Sequence, residues 1–410
     1  MRCGLLGEKL GHSYSPELHA LFGSYRYELF EVPPEKLGDF MREKDFRGLN
    51  VTIPYKKTVY DLCDNLTEAA RAIGCVNTVV VQPGGFLLGD NTDCAGFEGM
   101  VWKSRIRILG RKCLVLGSGG ASLAVQYVLN KLGAGEIVVI SRSGPDNYEN
   151  LAKHADASVI VNTTPVGMYP HTDEAPIDLR LFYQCEGVLD VIYNPARTRL
   201  IQQAQTLGIP CLGGLYMLAE QARCASQVFT GRPLSAIRAK EAYNALSSRK
   251  ENRILLGMPG CGKSTVGRAL AERTGKPFVD CDQVLEERLG MSAGDFILQS
   301  GEEAFRAHES ALLEELGKQS GLVIATGGGC VTRMQNYPHL HQNGVMIFLE
   351  RELSKLPKKG RPLSLRGNLQ DMYTIRLPMY RTFADLIVPN DADPMTVAQN
   401  VEEAYEHFSD

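Results

Sequence analysis

The sequence predicts an α/β protein with parallel sheets, and three observations support this prediction. Short apolar runs alternate with helical patterns along almost the whole chain of 410 residues, as expected for strands joined by crossover helices. Two glycine-rich segments, GSGGAS at 117–122 and GMPGCGKST at 257–265, each follow an apolar run and lead into a helical pattern. The length fits two or three domains of about 150 residues each.

Composition narrows the class of protein. The net charge is -3, with 44% hydrophobic and 22% charged residues, so no basic field is available to hold nucleic acid or an anionic membrane. No apolar run reaches the roughly 18 residues that span a bilayer, and the first residues do not resemble a signal peptide. The 11 cysteines include no C-x-x-C pair, which favours reduced thiols and a cytoplasmic location. We expect small-molecule partners, no nucleic acid and no membrane; the oligomeric state is not indicated.

The predicted elements of the first half place its polar motifs at strand ends. They are helices at 15–22, 121–132 and 215–229, and strands at 27–32, 50–53, 113–116, 136–141, 159–162 and 187–192. The last of these helices is expected to pack back on the first domain. The polar run 247–252 lacks apolar residues and is the predicted linker. The predicted domains are 1–101 completed by 214–246, then 102–213, and, after the linker, 253–410.

An amine and a carboxylate are the most informative pair in the first half. Lys56 ends the run NVTIPYK at 50–56, and Asp93 ends the run DNTD at 90–93. A lysine ammonium held beside a carboxylate can donate a proton to a developing alkoxide, which contributes about 10²- to 10⁴-fold to a rate. The alternative interpretation is an exposed lysine after a proline turn.

The first glycine loop is predicted to bind a dinucleotide. Its residues are Gly117, Ser118, Gly119, Gly120 and Ala121. Glycines at a strand-to-helix turn let the backbone approach a pyrophosphate. The next strand ends in Ser141-Arg142-Ser143 rather than in an acidic residue, and a guanidinium with two hydroxyls suits a 2′-phosphate, so NADP(H) is favoured over NAD(H). A plain tight turn and a solvated arginine are the alternatives.

The order of these and further motifs over residues 1–246 resembles the shikimate dehydrogenase family. The matching runs are HSYSP at 12–16, NVTIPYK at 50–56, GCVNTV at 74–79, DNTD at 90–93, GSGGAS at 117–122, NTTPVGM at 162–168 and GLYMLAEQA at 214–222. The resemblance implies a substrate domain, a Rossmann-type NADP domain, and NADPH-dependent reduction of 3-dehydroshikimate to shikimate.

The resemblance also implies roles for individual residues. Lys56 and Asp93 would be the catalytic pair, Asp93 also touching substrate, and Arg142 would hold the 2′-phosphate. Ser13 and Ser15 would hold the substrate carboxylate. Further substrate ligands would be Thr52, Asn77, Tyr193 and Gln221. Val191 and Gly214 would lie near the nicotinamide end of the cofactor.

The second glycine loop matches the phosphate-binding pattern G-x-x-x-x-G-K-[ST]. It follows the apolar strand 254–256 and opens a helix expected to run through residue 271. Its amides would cradle phosphates, Lys263 would reach the β and γ groups, and Ser264 would bind Mg²⁺. The residues expected to hold ATP are Gly260, Cys261, Gly262, Lys263, Ser264 and Thr265. We also predict a modifiable Cys261 thiol, because loop amides and a lysine favour a thiolate; the alternative, which agrees with the general behaviour of cysteines, is an inert loop filler.

Several motifs downstream of this loop fit a small kinase. The segment 278–282 is predicted as a strand whose two carboxylates, Asp280 and Asp282, face the same side; alternatively, Asp282 caps the next helix. Arg306 lies in a charged helical pattern, where a surface salt bridge is the simpler interpretation. The basic run 355–366 fits either a solvated loop or a lid over ATP.

These motifs resemble the shikimate kinase family over residues 253–410, which implies a P-loop domain with a parallel sheet. By that resemblance Asp282 would orient the attacking hydroxyl and act as base, while Asp280 would support Mg²⁺. The carboxylate clamp would be Arg306 and Arg376, the pocket lining Gly328 and Gly329, and the lid cation Arg361. One departure concerns the segment after the strand at 345–349, which is short and lacks the family's adenine-contacting arginine. Lys355 is the expected substitute.

Together the two resemblances predict a bifunctional enzyme of the aromatic amino acid pathway that reduces 3-dehydroshikimate with NADPH and phosphorylates the shikimate with MgATP. One alternative for the first half is a quinate/shikimate dehydrogenase that uses NAD, against which Arg142 argues. Another is a regulatory protein built from retired enzyme domains, which should lack residues such as Lys56 or Lys263. A third is a fusion in which only one half works.

Overall fold

The computed structural model describes residues 1–11, 13–356 and 369–409. The chain divides into two compact units, Met1–Ser247 and Ser248–Asp410. Both units are α/β, as predicted. Among the helices of the described ranges, none combines the length and the apolarity needed to cross a membrane.

The first sheet of the first unit is mixed rather than parallel. Its strands are β1 (Arg2–Gly7), β2 (Arg26–Glu31), β3 (Gly48–Val51), β4 (Asn65–Leu66), β5 (Thr78–Val81) and β6 (Leu87–Asp90), in the order β2-β1-β3-β5-β6-β4. The strand β5 is antiparallel to both of its neighbours, β3 and β6. A short turn with positive φ at Gly84 and Gly85 joins β5 to β6 as a hairpin. The helices of this region are α1 (Ser15–Phe22), α2 (Leu37–Glu43), α3 (Lys56–Leu62), α4 (Glu68–Ile73) and α5 (Asp93–Ser104).

The second sheet is entirely parallel and has a dinucleotide-binding topology. It contains β7 (Lys112–Leu116), β8 (Glu136–Ile140), β9 (Val159–Asn162), β10 (Gly187–Asp190) and β11 (Cys211–Gly213), with helices α6 (Gly120–Lys131) and α7 (Arg199–Thr206). The strand order is β11-β10-β9-β7-β8. The next two strands in the chain, β8 and β9, therefore lie on opposite sides of β7. Ligands bind at the carboxyl ends of strands at such a switch point, which is where the first glycine loop lies.

The helix α8 (Leu215–Thr230) returns to the first sheet, as predicted. Its Ala219 and Ala222 pack in one cluster with Leu18 and Phe22 of α1. This return places Gln221 of α8 next to Thr92, which follows β6.

The predicted linker is not an irregular segment. Its first four residues complete α9 (Ile237–Lys250), and β12 (Asn252–Leu256) begins two residues later. The buried residues Ala239, Ala242 and Leu246 recur at helical spacing, and basic side chains in a last turn favour the carboxyl end of a helix. Polar composition alone therefore misjudged this stretch, although the boundary between the two units does fall within it.

The second unit is built on one parallel sheet. Its other strands are β13 (Phe278–Asp280), β14 (Val323–Ala325), β15 (Gly344–Glu350) and β16 (Leu386–Pro389), in the order β13-β14-β12-β15-β16. Its helices are α10 (Lys263–Thr274), α11 (Cys281–Leu289), α12 (Ala293–Ser300), α13 (Glu302–Lys318), α14 (Asn336–His341), α15 (Leu369–Phe383) and α16 (Pro394–Ser409). The central strand β12 is fully buried and leads into the second glycine loop.

Candidate active sites

Two helix N-termini bring the predicted amine and carboxylate together. Lys56 is the first residue of α3 and Asp93 is the first residue of α5. Their side chains form an ion pair and are only 16% and 9% exposed. The second carboxylate oxygen, Asp93 Oδ1, accepts a 2.7 Å hydrogen bond from Asn77 Nδ2. Both oxygens of Asp93 are therefore occupied, and the Lys56 ammonium is held in one place.

Asn77 is itself fixed by its surroundings. Its side-chain oxygen accepts hydrogen bonds from the Thr92 amide at 2.7 Å and from the Thr78 hydroxyl at 3.0 Å. All three residues are buried. Because a buried amide with a satisfied oxygen cannot flip without losing these bonds, the Nδ2 group is held toward Asp93.

The ion pair opens into a cavity of about 220 Å³. The sequence-predicted residues that line it are Ser13, Ser15, Thr52, Lys56, Asn77, Asp93, Val191, Tyr193, Gly214 and Gln221. Burial raises the pKa of Tyr193, with the Ser13 hydroxyl opposing the shift, so this phenol stays a hydrogen-bond donor. Asn50 also lines the cavity and was missed, although an amide inside an otherwise apolar buried strand is a recognisable signal.

The first glycine loop borders the same cavity. Gly117 has a φ of +100°, and a side chain there would lie 2.9 Å from Thr163 Oγ1. At Gly119 an added Cβ would meet nothing within 4 Å, which leaves room for a ligand at the start of α6. A Cβ at Gly120 would lie 3.3 Å from Lys56 Cδ, and Ala121 lines the cavity. The first glycine loop is thus adjacent to the Lys56 side chain.

The predicted 2′-phosphate loop follows the neighbouring strand β8. Arg142 and Ser143 are exposed and Ser141 is half-buried. The Ser141 amide donates to the Asp146 carbonyl at 3.2 Å, which closes the loop into a compact turn. The parallel register of β7 and β8 brings this loop and the first glycine loop to the same edge of the sheet, as one dinucleotide would require.

In the second unit the lysine of the phosphate-binding pattern is folded onto its own loop. Lys263 is the first residue of α10 and is 8% exposed. Its amine donates to the carbonyls of Gly257 at 2.9 Å and Met258 at 3.2 Å. Gly262 has a φ of +100°, a conformation that favours glycine. The loop therefore has the shape of an anion cradle.

A cavity of about 690 Å³ lies beside this loop. The predicted residues that line it are Gly260, Gly262, Lys263, Ser264, Thr265, Asp282, Arg306, Gly328, Gly329 and Arg376. Cys261 does not line it: the side chain is 1% exposed and belongs to the core. The expectation of a modifiable thiol is therefore wrong, since burial keeps reagents away. Arg361 lies outside the described residues.

The two acidic residues after β13 do not face the same side of a strand. The strand ends at Asp280, and Asp282 lies in the first turn of α11. Asp280 is the N-cap, because its Oδ1 accepts from the Asp282 amide at 3.1 Å. Asp282 lines the cavity and Asp280 does not, which argues against the predicted role of Asp280 as a Mg²⁺ ligand. No cluster of three or more His, Cys, Asp or Glu ligands occurs in the described part of the chain.

Arg306 is not part of a surface salt bridge. It is 6% exposed, and its Nη1 donates to Glu309 Oε2 at 2.7 Å while Nη2 donates to Glu302 Oε1 at 3.1 Å. Burial lowers the pKa of Arg306, but the two glutamates outweigh it and raise the pKa overall. The guanidinium is therefore charged and fixed at the wall of the cavity.

Glu309 was missed by the sequence analysis. It is 1% exposed and lines the cavity, and its Oε1 accepts no hydrogen bond from the described residues. Burial raises its pKa, Arg306 lowers it, and Asp282 raises it further. The spacing of Arg306 and Glu309, three residues apart in one helix, was the available signal.

Close packing explains the glycine triplet at 327–329, which lies against Arg306, Glu309 and Asp282. A Cβ at Gly327 would clash with Glu309 Oε1 and lie 2.9 Å from Asp282 Oδ1. A Cβ at Gly329 would clash with the Arg306 guanidinium. Arg376 Nη1 donates to the Gly328 carbonyl at 3.1 Å. The turn thus brings both arginines and both carboxylates around one point.

The predicted substitute for the adenine-contacting arginine has other partners. The Lys355 amine donates to Asp391 Oδ1 at 2.9 Å and lies 3.6 Å from a Glu352 oxygen. Arg351 contacts the phosphate loop instead, since its Nη1 donates to the Cys261 carbonyl at 3.4 Å. Asn390 Nδ2 donates to the same carbonyl.

Comparison with known proteins gives matches for both units. A family model described as "Shikimate dehydrogenase substrate binding domain" matches residues 5–79, and one described as "Shikimate kinase" matches residues 259–406. The NADP(+) shikimate dehydrogenase of Clostridium perfringens strain 13 is 32% identical over 267 residues, covering 60% of this chain and 98% of that protein. The corresponding enzyme of Methanopyrus kandleri is 37% identical over 261 residues, covering 56% of this chain and 89% of that protein.

Solved structures give the same result for the first unit. A chorismate mutase/shikimate 5-dehydrogenase fusion protein from Clostridium acetobutylicum is 37% identical with a TM-score of 0.57, covering 60% of this chain and 96% of its own. Shikimate 5-dehydrogenase from Thermus thermophilus, in complex with NADP(H) and shikimate, is 32% identical with a TM-score of 0.55, covering 60% of this chain and 99% of its own.

Proposed function

Because the chain belongs to the shikimate dehydrogenase family and continues into a shikimate kinase domain, we propose that it catalyses two consecutive reactions. The first reduces 3-dehydroshikimate to shikimate with NADPH, and the second phosphorylates shikimate to shikimate 3-phosphate with MgATP. The observation that carries the proposal is that each unit keeps its reacting groups in one cavity: Lys56 with Asp93, and Lys263 with Asp282.

In the reductase, Lys56 is the proton donor. NADPH, when bound, supplies the hydride to the C3 ketone carbon, and the carbonyl electron pair becomes an alkoxide. The Lys56 ammonium donates its proton to that oxygen, giving the hydroxyl of shikimate and a neutral amine that solvent reprotonates. Asp93 holds the ammonium in reach, and Asn77 holds Asp93. General acid catalysis of this kind contributes about 10²- to 10⁴-fold.

The described residues fit a dinucleotide. The turn that begins at Gly117 and opens α6 would hold the pyrophosphate, and Arg142 with its flanking serines would hold the 2′-phosphate. Val191 and Gly214 lie together at the cavity wall, where a Cβ at Gly214 would clash with the Val191 carbonyl, and would adjoin the nicotinamide end. The curated relatives use NADP(+), so the NAD-dependent alternative is not favoured.

In the kinase, Asp282 orients the attacking hydroxyl of shikimate and accepts its proton. MgATP, when bound, supplies the phosphoryl group. Lys263 and the loop amides stabilise the charge on the phosphates, and Lys263 would exchange its two carbonyl partners for phosphate oxygens. Ser264, in the first turn of α10, is the proposed Mg²⁺ ligand of this chain. Arg361 keeps its predicted role as the lid cation.

3-Dehydroshikimate and shikimate carry the same carboxylate group, and the two cavities would hold that group with different side chains. The reductase offers the neutral hydroxyls of Ser13 and Ser15, whereas the kinase offers Arg306 and Arg376. Glu309 fixes Arg306 through a 2.7 Å hydrogen bond to Nη1. Charged, bidentate donors bind a carboxylate more strongly than hydroxyls do.

A drop-out assay on the intact protein tests the proposal. We expect 3-dehydroshikimate, NADPH and MgATP together to give shikimate 3-phosphate, omission of ATP to give shikimate, and omission of NADPH to give neither. Lys56→Ala should stop the first step only, and Lys263→Ala the second only. A protein in which one step never occurs would be a fusion with a single active half. The cytoplasmic location remains a prediction.

A further inference from the structure

A tyrosine behind the reductase cavity contacts a residue that lines it. Tyr27 lies on β2, two strands away from β3 in the first sheet. Its phenol donates a 2.8 Å hydrogen bond to Asn50 Oδ1. Asn50 lines the cavity, whereas Tyr27 does not. A hydroxyl outside the cavity thus supports a residue of its wall.

The contact determines which end of the Asn50 amide faces a ligand. Asn50 is 3% exposed, its oxygen accepts from Tyr27, and its Nδ2 donates to Thr78 Oγ1 at 3.2 Å. An amide nitrogen carries two N–H groups, and the bond to Thr78 uses only one of them. The phenol therefore holds Asn50 as a donor toward substrate oxygens, and without it the amide could flip.

The phenol is well placed to remain a donor. Burial raises its pKa well above the usual value, and the neighbouring Tyr25 adds to the shift. Its ring stacks on His19, with ring centroids 3.9 Å apart and planes 10° apart. Burial lowers the pKa of His19 to about 3, so this ring is neutral in ordinary buffers. Neutral aromatic neighbours hold the ring without competing for its hydroxyl.

We propose that Tyr27 is a substrate-positioning residue of the reductase, which orients Asn50 for binding the oxygens of the substrate. This inference rests on the proposed reductase function. Tyr27 touches neither Lys56 nor Asp93 in the contacts of the described residues, so its effect is on substrate binding and not on proton transfer.

The test removes one hydroxyl at a time near the start of β2. Tyr27→Phe keeps the ring stacked on His19 and deletes the donor. Tyr25→Phe is the matched control: it lies two residues earlier in the chain, and its hydroxyl lies 2.6 Å from His19 Nδ1 rather than on a cavity residue. The kinase activity of the same chain reports the amount of intact second unit, and the KM for NADPH reports whether the first unit is intact.

For Tyr27→Phe we expect the KM for 3-dehydroshikimate to rise about 3- to 10-fold, the effect of one lost neutral hydrogen bond. The kcat, the KM for NADPH and the kinase rate should stay within about twofold of wild type. Tyr25→Phe should leave the KM for 3-dehydroshikimate within the same margin. Asn50→Ala provides a second variant, and it should reproduce the rise in KM.

Three results would overturn the inference: an unchanged KM in Tyr27→Phe, an equal rise in Tyr25→Phe, or a loss confined to kcat. If Tyr27→Phe yields too little folded protein, an unchanged KM for 3-dehydroshikimate in Asn50→Ala would overturn the inference instead. The failure of the proposed function looks different, because wild-type protein would then not reduce 3-dehydroshikimate at all.

Discussion

Glu309 and Arg306 lie one helical turn apart on α13 and form a buried ion pair, with Nη1 and Oε2 separated by 2.7 Å. Their side chains are 1% and 7% exposed. One partner of such a pair left alone is strongly destabilised, so each fixes the other. The guanidinium is thus held at the cavity wall, and under the proposed role of Arg306 this lowers the entropy lost when shikimate binds.

Glu309→Gln should raise the kinase KM for shikimate about tenfold, because a charge-assisted bond that fixes Arg306 becomes a neutral one. The control is Glu302→Gln, which removes the other, half-exposed partner of Arg306 and should have little effect. Steady-state kinase kinetics with both variants decide the matter. Equal KM values in the two variants would show that Glu309 does not position Arg306.

Arg306→Lys should raise the kinase KM for shikimate strongly, because lysine keeps the charge but loses the planar fork. Ser13→Ala should affect the reductase KM less, since one neutral hydrogen bond is worth only about 0.5–1.5 kcal/mol. Added salt should raise the kinase KM more than the reductase KM, with burial reducing the effect. Matched salt series on the intact chain measure both. If Arg306→Lys leaves the kinase KM for shikimate unchanged, residues other than Arg306 hold the carboxylate of shikimate.

Lys56→Ala should lower reductase turnover by about 10²-fold or more, the scale of general acid catalysis, and leave kinase activity on added shikimate near normal. The exposed neighbour Lys57 provides the control, since Lys57→Ala removes the same charge outside the cavity. Both activities are measured on each variant. Equal loss of both activities in Lys56→Ala would contradict the assignment of this residue to the first site alone.

Arg142→Ala should weaken the binding of NADPH more than the binding of NADH, by roughly 1.5–3 kcal/mol, because only NADPH loses a charge-assisted contact. Arg180→Ala is the control in the same sheet domain, where the guanidinium is exposed and pairs with Asp178. The ratio of kcat/KM for the two cofactors is the measurement. A ratio that Arg142→Ala leaves unchanged would remove this residue from the 2′-phosphate site.

Asp190 should make the stability of the first unit depend on pH. Burial raises its pKa to about 7, although Thr198, the Ile192 amide and Asn162 oppose the shift. In the unfolded chain the pKa is about 4, so the native state binds the extra proton between pH 4 and 7. Stability from this group is therefore complete below about pH 4 and is lost as the pH rises to about 7.

Asparagine mimics the protonated acid and cannot ionise. The Asp190→Asn variant should therefore not lose stability at this position as the pH rises from about 4 to about 7. We expect the Tm of wild type to fall relative to that of Asp190→Asn as the pH is raised from about 4 to about 7. Thermal unfolding, with the first unit identified by its shift on adding NADPH, measures the difference. Parallel pH profiles would mean that Asp190 is ionised in the folded protein throughout this range.

The sequence predicted the features that depend on adjacent residues better than those that depend on contacts between distant parts of the chain. The strand-to-helix position of Lys56 and the phosphate-binding pattern around Lys263 follow from adjacent residues, and both were found. Whether Asp282 belongs to a strand or a helix depends on where Asp280 caps α11, and helix ends shift by a residue or two. Glu309 looked like one more charge on a charged helix, because its burial arises only when the glycine turn packs against it.

The same limit applies to the first sheet and the linker. Alternation of apolar runs with helical patterns predicts parallel strands, whereas the positive-φ turn at Gly84 and Gly85 makes β5 and β6 an antiparallel hairpin. The residues after Leu246 are polar, yet the helix continues because its apolar residues already lie on one face. Tyr27 has no motif, and its contact with Asn50 spans 23 positions of the chain, a separation that no local pattern reports.

Double labelling tests the central claim most directly. The intact protein is incubated with 3-dehydroshikimate, NADPH deuterated at the transferred position, and MgATP whose γ-phosphoryl oxygens are ¹⁸O, and the product is analysed by mass spectrometry. We expect shikimate 3-phosphate that carries the deuterium and the labelled phosphoryl group in the same molecule. A product with only one of the two labels, or none, would contradict the account of one chain that performs both reactions in sequence.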